Sequence, residues 1–211
     1  MIFKKKMRVN AKKPIGLFGK MTLKRMNGGA HEKLAGWGFD HIFLRGSEKA
    51  IDLGCGGGAN VKRLLEKLPD GMVAGMDYSE ISVAMSRELN KEEIEKGRCR
   101  IVQGNVMDIP MKDNSVDVVT AFETVYFWPD LKRGFEEVFR ILKENGTFLI
   151  TNEADGKHEE SLKWTKDIEG MKIYTGDEME ALLREVGFTR ISVDDDEAMD
   201  RICVVAEKRI N

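Results

Sequence analysis

Apolar positions in this chain fall into two alternating patterns. Short runs rich in apolar residues, at 50–53, 72–76, 100–103, 115–122 and 147–151, read as strands. Between them apolar residues recur at helical spacing. Val61, Leu64, Leu65 and Leu68 repeat at i, i+3, i+4 and i+7, and Pro69-Asp70-Gly71 ends that helix. Ser79 is placed to cap the next helix, in which Ile81, Met85 and Leu89 form one apolar row before the charged stretch 91–96, a solvated face. Leu131, Phe135, Val138, Phe139 and Leu142 mark a further amphipathic helix. Thr175-Gly176-Asp177-Glu178 has the capping-box pattern, opening a helix with Met179, Leu182, Leu183 and Val186 on one face and Gly187 as its stop. Residues 190–193 and 202–206 flank an acidic turn and pair most simply as an antiparallel hairpin. This alternation predicts an α/β protein whose parallel sheet is covered on both sides. Upstream, residues 21–44 scatter apolar side chains among Gly28, Gly29, Gly36 and Gly38, which predicts one or two short helices joined by loops.

The first strand breaks at once into Gly54-Cys55-Gly56-Gly57-Gly58 before a helix begins. Glycines suit such a place because the chain turns with backbone angles that a Cβ disfavours, and because a ligand can then approach the main chain closely. The helix that follows opens with unpaired N–H groups, which favour anionic or strongly polar ligand groups. The glycines alone leave two readings open. Gly54, Gly56 and Ala59 satisfy the dinucleotide rule G-x-G-x-x-G/A, whereas Gly54, Gly56 and Gly58 satisfy the tighter G-x-G-x-G of S-adenosylmethionine sites. The second strand ends in Asp77, where an acid can take two vicinal ribose hydroxyls, and both cofactors carry that ribose.

Four blocks together resemble the class I methyltransferases that use S-adenosylmethionine, and they stand in the right order. Residues 51–58 resemble the first motif, which implies that Asp52, Gly54, Cys55 and Gly56 hold the methionine part of the cofactor. Residues 73–79, VAGMDYS, resemble the second, implying Asp77 on the ribose hydroxyls and Tyr78 beside the adenine. Residues 104–110, GNVMDIP, resemble the third, with Asn105 where the family often has Asp; its amide oxygen can still accept from an adenine amino group. Residues 140–148 resemble the family's L-K-P-G-G turn, with Glu144-Asn145 in place of Pro-Gly, and Asn-Gly is itself a strong turn pair. The resemblance covers residues 48–152 closely. It implies a three-layer, Rossmann-like fold with a seven-stranded, mostly parallel sheet, an antiparallel C-terminal strand and an N-terminal helical cap. Residues 1–45 would form the basic arm and cap, and residues 46–211 the cofactor-binding domain.

In open parallel sheets ligands bind beyond the carboxyl ends of the strands. That rule collects the glycines, Asp77 and Tyr78, Asn105 and Val106, the segment 122–128 and the pair Asn152-Glu153. Phe122, Phe127 and Trp128 could wall a small substrate or attract a sulfonium cation with their π faces, or simply pack under the next helix. Methyl transfer from a sulfonium is an in-line displacement that needs alignment and water exclusion first, and a base only if the acceptor carries a proton. Glu123, Tyr126 and His31 are the candidates for that role. Glu123 could equally be an exposed or capping acid, and His31, Trp37 and His41 packing or surface residues. The three histidines are scattered and no carboxylate pair has ligand spacing, so no metal site is expected.

Composition narrows the partners. The chain has 211 residues, 42% hydrophobic and 33% charged, with a net charge of -2, which predicts no bulk affinity for nucleic acid. No apolar run is long enough to cross a membrane and the N-terminus lacks the apolar core of a secretory signal, so cytoplasmic residence is expected. Cys55, Cys99 and Cys203 fit neither a disulfide framework nor a zinc site. Residues 3–25 hold nine Lys and Arg and no acid, among them Lys4, Lys5, Lys6, Arg8, Lys12 and Lys13; this is an arm for phosphate or a solvated tail or lid. The reading is an S-adenosylmethionine-dependent methyltransferase, releasing S-adenosylhomocysteine, acting on a small molecule as monomer or homodimer. Its rivals are an RNA methyltransferase using the basic arm, a non-catalytic binder of the same cofactor, and a nicotinamide-dependent oxidoreductase. The last lacks both chain for a second domain and a Tyr-x-x-x-Lys.

Overall fold

The computed structural model describes residues 12, 14 and 16–209; of the basic stretch, Lys4, Lys5, Lys6, Arg8 and Lys13 lie outside the described residues. Helices α1 (Gly16–Met26) and α2 (Ala30–Phe39) precede the first strand, where the irregular apolar pattern places them. In chain order there follow β1 (Lys49–Leu53), α3 (Ala59–Lys67), β2 (Met72–Asp77), α4 (Glu80–Leu89), the short α5 (Lys91–Glu95), β3 (Cys99–Gln103), β4 (Val116–Phe122), α6 (Leu131–Ile141) and β5 (Leu142–Asn152). Two short helices, α7 (Glu159–Leu162) and α8 (Trp164–Asp167), lead to α9 (Gly176–Val186), β6 (Thr189–Asp196) and β7 (Arg201–Glu207). The sheet order is β3-β2-β1-β4-β5-β7-β6; β1 to β5 run parallel and β7 is antiparallel to both neighbours. This is the Rossmann-like, mostly parallel, seven-stranded sheet that the sequence predicts.

The two-residue period of the central strands sends neighbouring side chains to opposite faces. In β5, Phe148 and Ile150 join a core with Phe135, Val138, Leu183 and Phe188, contributed by α6, α9 and the loop after it. Leu149 joins Ala35, Phe39, Leu64 and Leu65 on the other face. Helix α2 therefore shares with α3 the layer that covers this face. A Cβ at Gly38 would lie 2.3 Å from Thr151 Oγ1 and 3.0 Å from Phe122 Cε1, so glycine is what lets α2 lie on the ends of β4 and β5.

Two local expectations are corrected. The apolar row Ile81, Met85 and Leu89 is not the buried side of α4: Leu89 is 42% exposed, while Ser82, Val83, Ser86 and, just past the helix, Asn90 are buried. Small polar side chains win because α4 packs on the glycine turn, where Asn90 Nδ2 donates to the carbonyls of Gly58 and Ser86. Strand β5 starts at Leu142 rather than residue 147, because the polar 143–146 segment forms a bulge opposite β4. Asn145 there adopts a φ of 62°, its N–H bonds the Lys208 carbonyl, and register resumes at Thr147.

The turn itself is held from three sides. Gly54 has a φ of 73°, and a Cβ on it would come 2.1 Å from Thr124 Oγ1; a Cβ on Gly58, at φ 86°, would come 2.8 Å from Ser86 Cα. Gly56 differs, since at φ 51° its nearest neighbour would be Leu23 Cδ2 at an ordinary 3.5 Å. Gly54→Ala should then destabilise folding by about 2–4 kcal/mol, strain plus clash, and Gly56→Ala by only about 1–2 kcal/mol, the strain alone. Urea unfolding of both variants checks this; equal losses would contradict it.

Beneath the turn, Asp52 pairs in register with Thr120 and accepts its hydroxyl proton at 2.7 Å. Burial pushes the Asp52 carboxyl up to about 7, with the Thr120 hydrogen bond opposing. An acid whose pKa is higher folded than unfolded stabilises fully below its unfolded value, and that stability is lost as pH rises through the folded one. Between about pH 4 and pH 7 this group alone should lower stability by up to about 1.4 kcal/mol per pH unit. Asp52→Asn should flatten that slope, as urea midpoints across the range would show; an unchanged slope would contradict the assignment.

Candidate functional site

The carboxyl ends of β1 to β4 open on one cavity of about 800 Å³, lined among others by Gly54, Gly56, Asp77, Tyr78, Asn105 and Val106 on one side and by Phe122, Glu123, Phe127 and Trp128 on the other. The strand-end rule thus places most of the expected residues on its wall. Residues from α1 and the segment before it, Leu23, Lys12 and Pro14, and residues 168–170 from the loop after α8 complete the lining.

Asp77 anchors the cofactor side. It is 8% exposed; its Oδ2 accepts from the Gly56 N–H at 2.9 Å and its Oδ1 from the Ser79 N–H at 2.8 Å. The Ser82 hydroxyl and the Tyr78 N–H also hydrogen-bond this carboxylate. Burial raises the Asp77 carboxyl, with the Ser79 and Gly56 amides pulling the other way. Tyr78 lies on the rim, 44% exposed, its hydroxyl donating to the Lys12 carbonyl, and burial with the Asp77 charge pushes its phenol up to about 12. Asn105 is exposed on the wall, but its Oδ1 already accepts from the Met107 N–H at 3.0 Å, which leaves one acceptor position toward the cavity.

Two residues of the first motif stand behind the wall rather than on it. The Cys55 N–H and carbonyl are spent on Met76 and Gly58, and its thiol lies in the core near Ser86 Oγ, where burial raises it well above the usual thiol range. Asp52 is buried on Thr120, so it supports the turn from below.

Of the three candidates for acid–base work, Glu123 lines the cavity, and Tyr126 and His31 approach it from behind that wall. Glu123 follows β4 at a φ of 58°, its N–H bonded to the Thr151 carbonyl at 2.9 Å, a turn that brings its carboxylate to the cavity wall. Tyr126, 2% exposed, donates its hydroxyl to Glu123 Oε1 at 3.1 Å. His31 comes over from α2, so that its ring nitrogen and the carboxylates of Glu123 and Glu153 lie within 4.8 Å of one another. Burial and the neighbouring Glu153 charge push the Glu123 carboxyl well above its usual range. The histidines are scattered in sequence, yet the fold brings one of them to a carboxylate pair from positions up to 122 residues apart, which spacing in sequence does not show.

The aromatic segment both packs into the core and lines the cavity. Trp128 is 5% exposed, its ring plane 14° from that of Phe148, and a Cβ on Gly134 of α6 would lie 2.4 Å from its ring; it also faces the cavity. Phe122 packs on Phe39 of α2 with ring centroids 4.9 Å apart. His41, by contrast, is structural: its nitrogens reach the Trp37 carbonyl at 2.8 Å and Asp194 at 2.7 Å, tying the end of α2 to β6. Sequence reasoning placed Thr124 only as part of the segment after β4, without its contact with Gly54, and missed Ser82 and residues 168–170.

Comparison with known proteins agrees with this geometry. Residues 51–150 match the family described as methyltransferase domain. The methyltransferase phqN of Penicillium fellutanum is 27% identical over 163 residues, 73% of this chain and 50% of phqN. The sterol 24-C-methyltransferase erg6 of Aspergillus fumigatus is 30% identical over 117 residues, 53% of this chain and 31% of erg6. This chain thus spans half or less of the curated relatives' length. Among solved structures, a chain from a complex of the Haloferax volcanii Trm112 methyltransferase activator with a methyltransferase superposes with a TM-score of 0.81 at 20% identity, over 89% of this chain and 94% of that one. A SAM-dependent methyltransferase from Aquifex aeolicus gives a TM-score of 0.72 at 18% identity, over 89% and 97%. The antiparallel β7 between β5 and β6 also differs from the 3-2-1-4-5-6 order of dinucleotide-binding sheets. Residues 51–150 thus match the model of the methyltransferase-domain family, and the chain has the fold of these solved methyltransferases.

Proposed function

We propose that this protein transfers the methyl group of S-adenosylmethionine to a small-molecule acceptor and releases S-adenosylhomocysteine. One observation carries the reading. The cavity is continuous from the glycine turn and a buried carboxylate to an aromatic and acidic wall. The residues fit the cofactor: Asp77 would take the ribose hydroxyls, Tyr78 and Val106 would flank the base, and the Gly54–Gly56 backbone would face the methionine part. S-adenosylmethionine supplies an activated methyl on a sulfonium centre, ready for in-line displacement.

The chain's own contribution is alignment and dryness. Phe122, Phe127 and Trp128 exclude water from the middle of the cavity, and Lys12, Pro14 and helices α1 and α2 act as a cap over it. Carboxylates predominate around the cavity, Asp77, Glu123 and Glu169 on its wall against Lys12, which suits a cationic sulfonium. At the acceptor end, Glu123 Oε1 is fixed by Tyr126 and by the Glu153 N–H, leaving Oε2 to meet the acceptor's polar group. That the relatives include sterol methyltransferases, and the structural neighbours a geranyl diphosphate methyltransferase, supports a small acceptor.

Asp77→Ala tests the cradle. It should weaken S-adenosylmethionine binding by about 2–3 kcal/mol, a charge-assisted pair of hydrogen bonds, in a folded protein. Incubation of the wild-type chain with methyl-labelled cofactor and panels of alcohols, thiols, amines and alkenes should move label into one class. Undiminished cofactor affinity in the folded variant, or label transferred to none of the panel, would contradict the proposal.

A further inference from the structure

We infer that His31, Glu123 and Glu153 form a binding site for one divalent first-row metal ion at the acceptor end of the cavity. This rests on the methyl-transfer reading only for the role of the ion, not for its binding. Three elements supply one ligand atom each: α2 gives the imidazole, the end of β4 one carboxylate, and the end of β5 the other. Their ligand atoms lie within 4.8 Å of one another, a spread that metal bonds of about 2.0–2.2 Å close with small rotations of half-buried side chains.

The state of these groups sets them apart from an ordinary polar cluster. The His31 ring and the Glu153 carboxylate take part in no hydrogen bond or ion pair among the described residues, and neither carboxylate has a Lys or Arg partner there. Glu123 is held as metal ligands are held, by an outer shell: Tyr126 and the Glu153 N–H fix Oε1, leaving Oε2 as the ligating atom. Next to Glu153, Asn152 is 1% exposed and leaves both its amide nitrogen and its oxygen without a partner, so this strand end has further polar capacity to spare. The cluster of Asp155, His158 and Asp200 is the contrast. There the Asp155 carboxylate accepts from the Lys157 N–H at 2.7 Å and meets the His158 ring at 3.1 Å, so its ligand atoms already satisfy one another.

One imidazole with two carboxylates suits Mn²⁺, Fe²⁺ or Zn²⁺ better than Mg²⁺. Three protein ligands leave coordination positions open toward the cavity, where Glu123 faces it. With the ion in place, Glu123 is a ligand rather than a base. The acceptor class that follows carries a hydroxyl or thiol. Coordination lowers its pKa so that the proton leaves to water. Its oxygen or sulfur lone pair then bonds the methyl carbon as the carbon–sulfonium pair returns to sulfur.

The full chain, stripped with EDTA and titrated with Mn²⁺ while free Mn²⁺ is read by electron paramagnetic resonance, tests the site. About one Mn²⁺ per chain should bind and be displaced by Zn²⁺. Affinity should fall about tenfold or more in His31→Ala and in Glu153→Gln and stay unchanged in His158→Gln. S-adenosylhomocysteine affinity, measured calorimetrically, should be unchanged in both weakened variants and serves as the folding control. Absence of saturable Mn²⁺ and Zn²⁺ binding in a chain that still binds S-adenosylhomocysteine would overturn the site and leave methyl transfer standing. Binding that survives both substitutions, or that follows His158→Gln, would overturn it too. The expected metal binding in a chain with no affinity for S-adenosylhomocysteine would uphold the site and remove the methyltransferase reading instead.

Discussion

Close approach of neighbouring residues to the backbone of the glycine turn is the constraint on which the rest depends. Gly54 lies under Thr124, Gly58 lies against Ser86 of α4 and Asn90 just past it, and the Gly56 N–H is pinned by Asp77. Each contact joins the turn to a different neighbour of β1. A side chain at Gly54 or Gly58 would push these elements apart, so the turn fixes the spacing of the strand ends as much as it receives a ligand. The small polar face of α4 follows from the same requirement.

Around that turn the chain buries carboxylates where most proteins bury hydrocarbon. Burial beneath the turn pushes the Asp52 carboxyl up to about 7 while Thr120 steadies it, whereas Asp77 keeps backbone donors and faces the cavity. Glu123 and Glu153 repeat the arrangement at the far end without a basic partner among the described residues. Such groups cost stability unless hydrogen-bond donors or an opposite charge compensate them. The aromatic wall of Phe122, Phe127 and Trp128 lies between, anchored in both cores through Phe39 and Phe148.

Local features of the sequence were the most legible. The glycine turn, Asp77 at the end of β2 and the capping box of α9 depend on residues close in the chain, and each stands where the pattern puts it. Periodicity found α4 but misjudged its buried face, because Ser82 and Ser86 meet a turn that tolerates nothing larger. Asp52 and Cys55 were expected to touch the cofactor; they lie one layer back, since alternate strand residues point away from the cavity and the Cys55 backbone is already bonded. The meeting of His31 with Glu123 and Glu153 was out of reach, being a product of how α2 folds over the ends of β4 and β5.

Calorimetric titration of the purified chain with S-adenosylhomocysteine, with NADH run alongside, tests the central claim most directly. The cradle described above predicts saturable binding of S-adenosylhomocysteine at one per chain and none of NADH. Binding of NADH, or of neither ligand, would contradict the assignment of the glycine turn and Asp77 to S-adenosylmethionine.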